Sequence, residues 1–478
     1  MCGLGTARDG VSHMKLVYEP VELAKGTTAV PVRCFTGAHH MPDEASCRQL
    51  SELSAIPGLD NYVAVLPDVH YKHRNPSPTG TVAVSSSLLV PRAVDPGINC
   101  GMRMVATSVP AKEFTTERLD RLFTRLIADI PIEARDTPLL DGDQCGRMLA
   151  EGLPAVADVL ELAPGELNRI ENGGHMTPRV DPDEIRALVH PGAIRKGNGW
   201  LGTLGAGNHF LELQEIVEVL DELVAYRLGL KTGDVVFMMH TDSRRMGKRA
   251  LKPTFEEALL AAANGHVPDP DSLWTIPADS AIGRKYIAAL AAATHSGFFN
   301  RSALTLTLRH AVRDVLGDGS LALPLIFDCG HESIQQEEHG GKKLWVHRHG
   351  ASHALPASAL AHDPVLADVG QPVPIPGNMG SASYIAVTRP GVAATFHSVA
   401  HGAGRVMEKV HAAEQFDPEQ VERDLGNVGV RLYRYGTDNI AGQAPASFKN
   451  VRGVVEAMEA FDLIRPVVRV RPLAVLKG

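Results

Sequence analysis

Five short stretches of this chain combine residue types that bind metals or phosphates, and each follows an apolar run or opens a glycine-rich turn. Residues 94–101, VDPGINCG, put the Asp95 carboxylate and the Cys100 thiol near each other. Residues 202–212, GTLGAGNHFLE, begin with glycines that let a backbone approach a ligand closely, then offer Asn208, His209 and Glu212. Residues 240–247, HTDSRRMG, start with His240 directly after the apolar run 234–239 and continue into basic residues. His331 closes DCGH at 328–331. Residues 396–405, FHSVAHGAGR, place His401 before Gly402, Ala403 and Gly404, whose amides, with Arg405, suit phosphate oxygens.

Together these stretches supply imidazole, thiolate and carboxylate. Imidazole and thiolate suit borderline transition metals, and added carboxylate and water oxygens favour Mn²⁺ or Zn²⁺ over Mg²⁺ or Ca²⁺. A thiolate can bridge two ions, and two ions about 4 Å apart neutralise a triphosphate and clamp an in-line displacement. The chemistry indicated is phosphoryl or nucleotidyl transfer. Each residue alone has a plainer reading: His240 or Cys100 as a core residue, residues 202–207 as a simple turn. Spacing alone leaves the function open.

The elements that must position these residues are short. Apolar segments bounded by Gly, Pro or Asp at 62–66, 81–84, 234–239 and 323–327 predict strands. Periodic segments at 116–127, 182–189, 255–262, 278–293 and 451–460 predict helices. The class is α+β. No repeat, low-complexity tract or long Gly/Ser linker divides the chain, and the Pro/Gly-rich stretch 163–207 already carries a candidate motif. A single domain over 1–478 is expected, with residues 1–13 a disordered extension.

An apolar content of 44% suffices for a sizeable core. A net charge of −8 gives no global attraction to nucleic acid. Contact with a polyanion would need a local cluster such as Arg244, Arg245, Lys248, Arg249 and Lys252, which equally suits a solvated face. The six cysteines form no C-x-x-C pair, which excludes a zinc ribbon, argues against a disulfide framework and suits a reducing cytoplasm. Residues 1–9 lack the order of a signal peptide, and no apolar run approaches the roughly 20 residues that span a bilayer. The expectation is a protein neither exported nor held in a membrane.

Taken in order, these segments resemble the RtcB family of 3′-phosphate RNA ligases from about Val30 to the last residue. The blocks that carry the resemblance are LPDVH at 66–70, NCGM at 99–102, the glycine-rich 202–212, IPGNMGSASY at 375–384, HGAGRVM at 401–407 and RPLAVLKG at 471–478. The resemblance implies layered β-sheets flanked by helices around a metal-binding cleft. It implies two Mn²⁺ ions on Asp95, Cys100, His209, His240 and His331, with Cys100 shared, and His401 as the nucleophile that takes GMP from GTP. Imidazole keeps a lone pair at neutral pH, which suits that role. By the same resemblance Glu212 and Lys477 read guanine, the carboxylate suiting its N1 and N2 donors and the cation its O6. Asn208, Ser381, Ser383, Gly402, Ala403, Gly404 and Phe448 would line the nucleotide, and Arg244 and Arg405 would hold RNA or nucleotide phosphates. The activity implied is joining of 2′,3′-cyclic phosphate or 3′-phosphate RNA ends to 5′-hydroxyl ends, in tRNA splicing or RNA repair. Its partners are RNA ends and GTP, with an activating protein left open.

The chain also departs from the family pattern. Two residues usually separate the metal-binding Asp from the Cys, whereas four lie between Asp95 and Cys100. A Pro96-Gly97 turn would let the insertion bulge out with both ligands in place. HRNPSP at 73–78 stands where a glycine-rich segment is usual, Phe448 where a tyrosine is usual, and Glu332 where an asparagine is usual. His349 replaces a lysine, which predicts weaker or pH-dependent phosphate binding there. Two rival readings share these residues: a dinuclear-metal phosphoesterase or nuclease, and a noncatalytic RNA-end-binding protein. The intact HGAGR block and Lys477 argue against the first, and retention of five ligand candidates against the second.

Overall fold

The computed structural model describes residues 30–189, 191–262, 269, 271–436 and 440–478; the expected extension at residues 1–13 lies outside them. Two sheets carry the architecture. In the first, Val32–Cys34, Val63–His70, Thr79–Ser85, Lys342–His349 and Glu332–His339 lie side by side in that order. In the second the order is Pro372–Ile375, Ser383–Thr388, Ile464–Lys477, Phe210–Val219, Asp234–Thr241, Gly101–Pro110 and Leu325–Gly330, with Arg431–Arg434 also pairing Ile464–Lys477. Within these two sheets the pairings are antiparallel, except those of Val32–Cys34 with Val63–His70 and of Arg431–Arg434 with Ile464–Lys477. The class is α+β, as expected.

Strand Asp234–Thr241 of the second sheet carries a continuous apolar run because both its faces are covered. In Asp234–Thr241, Val235, Phe237 and Met239 join one apolar cluster and Val236 and Met238 another. The first cluster includes Leu122, Phe123 and Leu126 of helix Thr116–Asp129 and Leu304, Leu308 and Val312 of helix Ala281–Leu316. That second helix starts at a Ser280 cap and ends at Gly317 with φ +72°. It runs far beyond the predicted 278–293, because buried Asn300, Arg301 and Arg309 interrupt the apolar pattern without leaving the helix. The basic residues from Arg244 to Lys252 open helix Arg244–Ala262, of which the predicted 255–262 is the last part. Among the described residues no helix is long and apolar enough to cross a membrane.

Register brings the candidate ligands together. Gly101 lies opposite both Thr241 and Gly330, and Phe210 opposite His240, so residues 100, 209, 240 and 331 gather at one sheet edge. His331 is also the point where the chain leaves the second sheet at Gly330 and enters the first at Glu332. The fully buried Arg301 guanidinium fixes this edge: Nε donates to Asp328 Oδ1 at 2.8 Å, and Nη1 to the carbonyls of Asn99 at 2.6 Å and Thr241 at 3.2 Å. Arg103 donates to Asp328 Oδ2 at 2.8 Å and to Glu166 at 2.9 Å, and Arg309 reaches Glu166 at 3.0 Å. Removing one partner of such a network strands the others away from water. Arg301→Met is therefore expected to cost about 3–5 kcal/mol of unfolding free energy in urea denaturation; a loss below about 1 kcal/mol would deny the network this role.

Candidate active site

Cys100 Sγ stands 3.1 Å from His240 Nε2 and 3.6 Å from His209 Nε2, and His240 Nε2 stands 3.2 Å from His331 Nε2. His240 Nδ1 faces the Asn208 carbonyl at 3.2 Å, which accepts its proton and leaves the lone pair on Nε2. Burial holds His240 and His331 well below the ordinary imidazole range and His209 down to about 4, so these rings are neutral. Burial, followed by Asp242 and Glu332, holds the Cys100 thiol well above its ordinary range. Buried His209 Nδ1 and His331 Nδ1 find no hydrogen-bond partner among the described residues. Soft donors crowded at 3.1–3.6 Å have the spacing of tetrahedral edges around metal bonds of about 2.0–2.3 Å. The donor set fits a transition metal.

His401 follows strand Ser398–Ala400, and its ring centroid lies 4.8 Å from that of His331. Its Nδ1 and its backbone N both donate to Asp68 Oδ2, at 2.6 and 3.0 Å, so Nε2 keeps the lone pair. Gly404, with φ +71°, makes this approach possible: a Cβ there would meet the Asp68 carbonyl oxygen at 2.2 Å. Lys449 Nζ braces the same strand by donating to the Pro67 and Val69 carbonyls at 3.0 and 2.5 Å. Sequence reasoning quoted LPDVH but gave Asp68 no role, because its partner is 333 positions away.

Glu212 and Lys477 lie on paired strands, Glu212 opposite Val475 and Lys477 opposite Phe210. Gln214 Nε2 donates to Glu212 Oε2 at 2.7 Å and to Ser383 Oγ at 3.4 Å, and Ser383 Oγ also accepts from Gly377 N at 3.0 Å. Burial pushes the Glu212 carboxyl up to about 7, against the pull of Gln214 and Lys477. Ser381 Oγ accepts from Asn378 N, and the Ala403 amide donates to the Pro376 carbonyl, each at 2.9 Å. Gly402 packs against Pro376. Arg405 donates to Asn208 Oδ1 at 3.2 Å and lies over the Phe448 ring at 4.5 Å; burial brings it down to about 10. Arg244, itself at φ +53°, reaches Thr203 Oγ1 at 3.0 Å beneath Gly205, where a Cβ would meet its Nη1 at 2.2 Å.

A family model described as tRNA-splicing ligase RtcB matches residues 49–478. The chain belongs to the RtcB family. It is 32% identical to the tRNA-splicing ligase RtcB of Thermococcus kodakarensis across 92% of each chain. It is 33% identical to the RNA-splicing ligase RtcB of Mycobacterium bovis, across 90% of this chain and 100% of the relative. The tRNA-splicing ligase RtcB of Pyrobaculum aerophilum is 30% identical across 97% of this chain and 98% of its own. Membership of RtcB, a family of RNA ligases, makes this chain an RNA-ligase enzyme.

Against that family pattern the divergent positions take on physical meaning. The Asp95 carboxylate pairs with Lys72 Nζ at 2.7 Å; burial would raise it, but Lys72 holds it below the usual range. Gly97, three positions before Cys100, faces a different acid: a Cβ there would lie 3.4 Å from Asp242 Oδ2 and 4.0 Å from Cys100 Cβ. Asp242 is buried and held down to about 2, since His209, Arg244 and Lys248 outweigh the effect of burial. Sequence reasoning missed it. Glu332 accepts from Gly350 N at 2.8 Å and Asp95 N at 3.0 Å; burial, then Asp95, holds it well above the carboxylate range.

Of the two outcomes expected at His349, weaker or pH-dependent phosphate binding, the buried ring is at odds with the second. That ring is buried between Ser77 Oγ at 2.9 Å and Thr79 Oγ1 at 3.3 Å, and burial takes it down to about 3, so it carries no charge at physiological pH. The basic segment is largely partnered: Arg245 lies over Trp200 at 4.0 Å, Lys248 Nζ is 3.9 Å from Asp242, and Lys252 is 3.8 Å from Glu256. Asp242→Asn is expected to weaken divalent transition-metal binding about 10–100-fold, and more than Asp95→Asn does, in titration calorimetry of the metal-stripped protein. The reverse order would assign the carboxylate role to Asp95.

Proposed function

We propose that this RtcB-family enzyme uses GTP and two Mn²⁺ ions to join 2′,3′-cyclic phosphate or 3′-phosphate RNA ends to 5′-hydroxyl ends, with His401 carrying GMP. The observation that carries the reading is the Asp68–His401 pair set beside the Cys100, His240 and His331 donors. Cys100, His209, His240 and His331, with a carboxylate from Asp242 or Asp95, would hold the ions. Bound there, they would supply positive charge to phosphate oxygens. Asp68 keeps the Nδ1 proton in place, so His401 Nε2 can attack the α-phosphorus with no proton to lose. A P–N bond forms as the P–O bond to pyrophosphate breaks, and Asp68 balances the positive ring that results. A 2′,3′-cyclic end is first opened by water, which breaks its P–O2′ bond and leaves a 3′-phosphate; the 3′-phosphate then takes GMP from His401, and the 5′-hydroxyl displaces GMP to close the phosphodiester.

Intact-protein mass after incubation with GTP and Mn²⁺ tests this. A GMP-sized, acid-labile adduct is expected in the parent and absent from His401→Ala, with Asp68→Asn forming it about 10–100-fold more slowly. An adduct that persists in His401→Ala would put the nucleotide elsewhere. No adduct in metal-loaded parent would favour the phosphoesterase.

In this reading Glu212 accepts from guanine N1 and N2 while Lys477 donates to O6. Glu212 must then be ionised, and with its carboxyl at about 7 the ionised fraction falls about tenfold from pH 8 to pH 6. Guanine-nucleotide affinity is expected to fall in that direction, and Glu212→Gln to be weaker and to lack this component. A parent profile no steeper than that of Glu212→Gln would remove Glu212 from guanine recognition.

A further inference from the structure

A second convergence of nitrogen and oxygen donors lies outside the Cys100 centre and takes no part in the reaction above. Glu337 and His339 end strand Glu332–His339, His353 ends strand Ala351–His353, and His397 immediately precedes Ser398–Ala400, the strand that delivers His401. One carboxylate oxygen, Glu337 Oε2, stands 3.2 Å from His339 Nε2, 3.5 Å from His353 Nε2 and 4.0 Å from His397 Nδ1. Glu337, His339 and His397 bring donor atoms within 4.8 Å of one another. For bonds of about 2.0–2.2 Å, tetrahedral edges are ~3.3–3.6 Å, so small side-chain movements would close the set on one ion.

Three independent features point the same way. His353 Nε2 is buried, with 2% of the residue exposed, and makes no hydrogen bond among the described residues. Its Nδ1 faces Glu171 Oε1 at 2.7 Å, the carboxylate–imidazole pairing that orients metal-binding histidines. Phe396 and His397 both hold φ +51°, a costly conformation for side-chain-bearing residues, kept by Arg348 donating to the Phe396 carbonyl and Ala354 N to the His397 carbonyl, each at 2.8 Å. Arg348 donates to both oxygens of Glu337, Nη1 to Oε1 at 2.5 Å and Nη2 to Oε2 at 2.9 Å, which leaves Oε2 a further lone pair, and a dication bound there would take the place of the proton that Glu337 and Glu171 favour on His353.

We propose that Glu337, His339, His353 and His397 form a structural site for one divalent borderline metal, zinc by preference, separate from the ligase centre. Three imidazoles and a carboxylate complete four-coordination with no open position. The ion clamps the strand that ends at His401 onto the Glu332–His339 edge. Glu171 extends the connection, since its Oε2 accepts the Gly330 amide at 2.7 Å, one residue before His331.

The competing account is a buried ion network in which a protonated His353 bridges Glu171 and Glu337 and no metal binds. The two differ in metal content. Full-length Cys100→Ala/His240→Ala protein, dialysed against Zn²⁺ and then buffer, is expected to retain one zinc per chain by elemental analysis, and to lose it when His339→Gln/His397→Gln is added. Co²⁺ in the same background is expected to give tetrahedral d–d bands without thiolate charge transfer. Zinc at background level in folded Cys100→Ala/His240→Ala protein, or unchanged zinc after the second pair of substitutions, overturns the proposal. Should the first background not fold, Co²⁺ titration of the parent decides: a thiolate-free tetrahedral component supports the site, and its absence overturns it.

Discussion

Arg301 sits where no water reaches it, and the geometry of the reactive edge follows from how its charge is satisfied. An unpaired guanidinium in that position would be prohibitively costly, so the fold must bring acceptors to it. The acceptors are Asp328 and the main-chain carbonyls of Asn99 and Thr241. These belong to three adjacent strands or their entries, and each lies close in the chain to a candidate metal ligand: Asn99 precedes Cys100, Thr241 follows His240, and Asp328 lies three positions before His331. Satisfying one buried charge thus fixes the relative heights of a thiol and two imidazoles. Because the guanidinium is planar and Asp328 is also held by Arg103, the arrangement has little freedom to slip. That rigidity holds the thiol and imidazoles at 3.1–3.6 Å from one another.

His401, the histidine proposed to react, is placed by separate means. His401 is tied to Asp68 of the first sheet, while the donors beside it come mainly from the second, and His331 is where the chain passes between the two. In the proposed reaction, a nucleophile held by one sheet against candidate metal ligands held by the other would be oriented without competing for the same hydrogen bonds. Asp68 settles which nitrogen is free. Gly404 settles how closely the HGAGR turn can approach it, because a side chain there would collide with the Asp68 main chain.

What could be read from the sequence follows the same physics. Strands buried on both faces give uninterrupted apolar runs, so the runs ending near His240 and His331 were visible, and the histidines after them drew attention. Helix Ala281–Leu316 was visible only in its alanine-rich first half, since the residues that make its second half important, Asn300, Arg301 and Arg309, look like surface residues in a one-dimensional pattern. Asp68 and Asp242 were invisible as site residues for a different reason: the groups that define them, His401 for one and His209 with Gly97 for the other, are distant in sequence. The environment of His349 was equally hidden, because its lost charge comes from burial between Ser77 and Thr79, not from any neighbour in the chain.

The acid beside Cys100 shows how such a centre tolerates change. Position 97 has no side chain, and the Asp242 carboxylate comes within 3.4 Å of where its Cβ would stand. An ionised acid there raises the thiol, which works against metal binding as long as no cation is present. With a dication in place the sign would reverse, because thiolate and carboxylate would both interact favourably with the ion and be screened from each other by it. Binding would therefore couple proton loss from Cys100 to the fixed charge of Asp242 and the neutral imidazoles. A carboxylate could reach this point from either strand, provided the other strand leaves the space. Asp95, displaced along the chain by the Pro96-Gly97 insertion, instead forms the ion pair with Lys72, next to the position where His349 brings no charge.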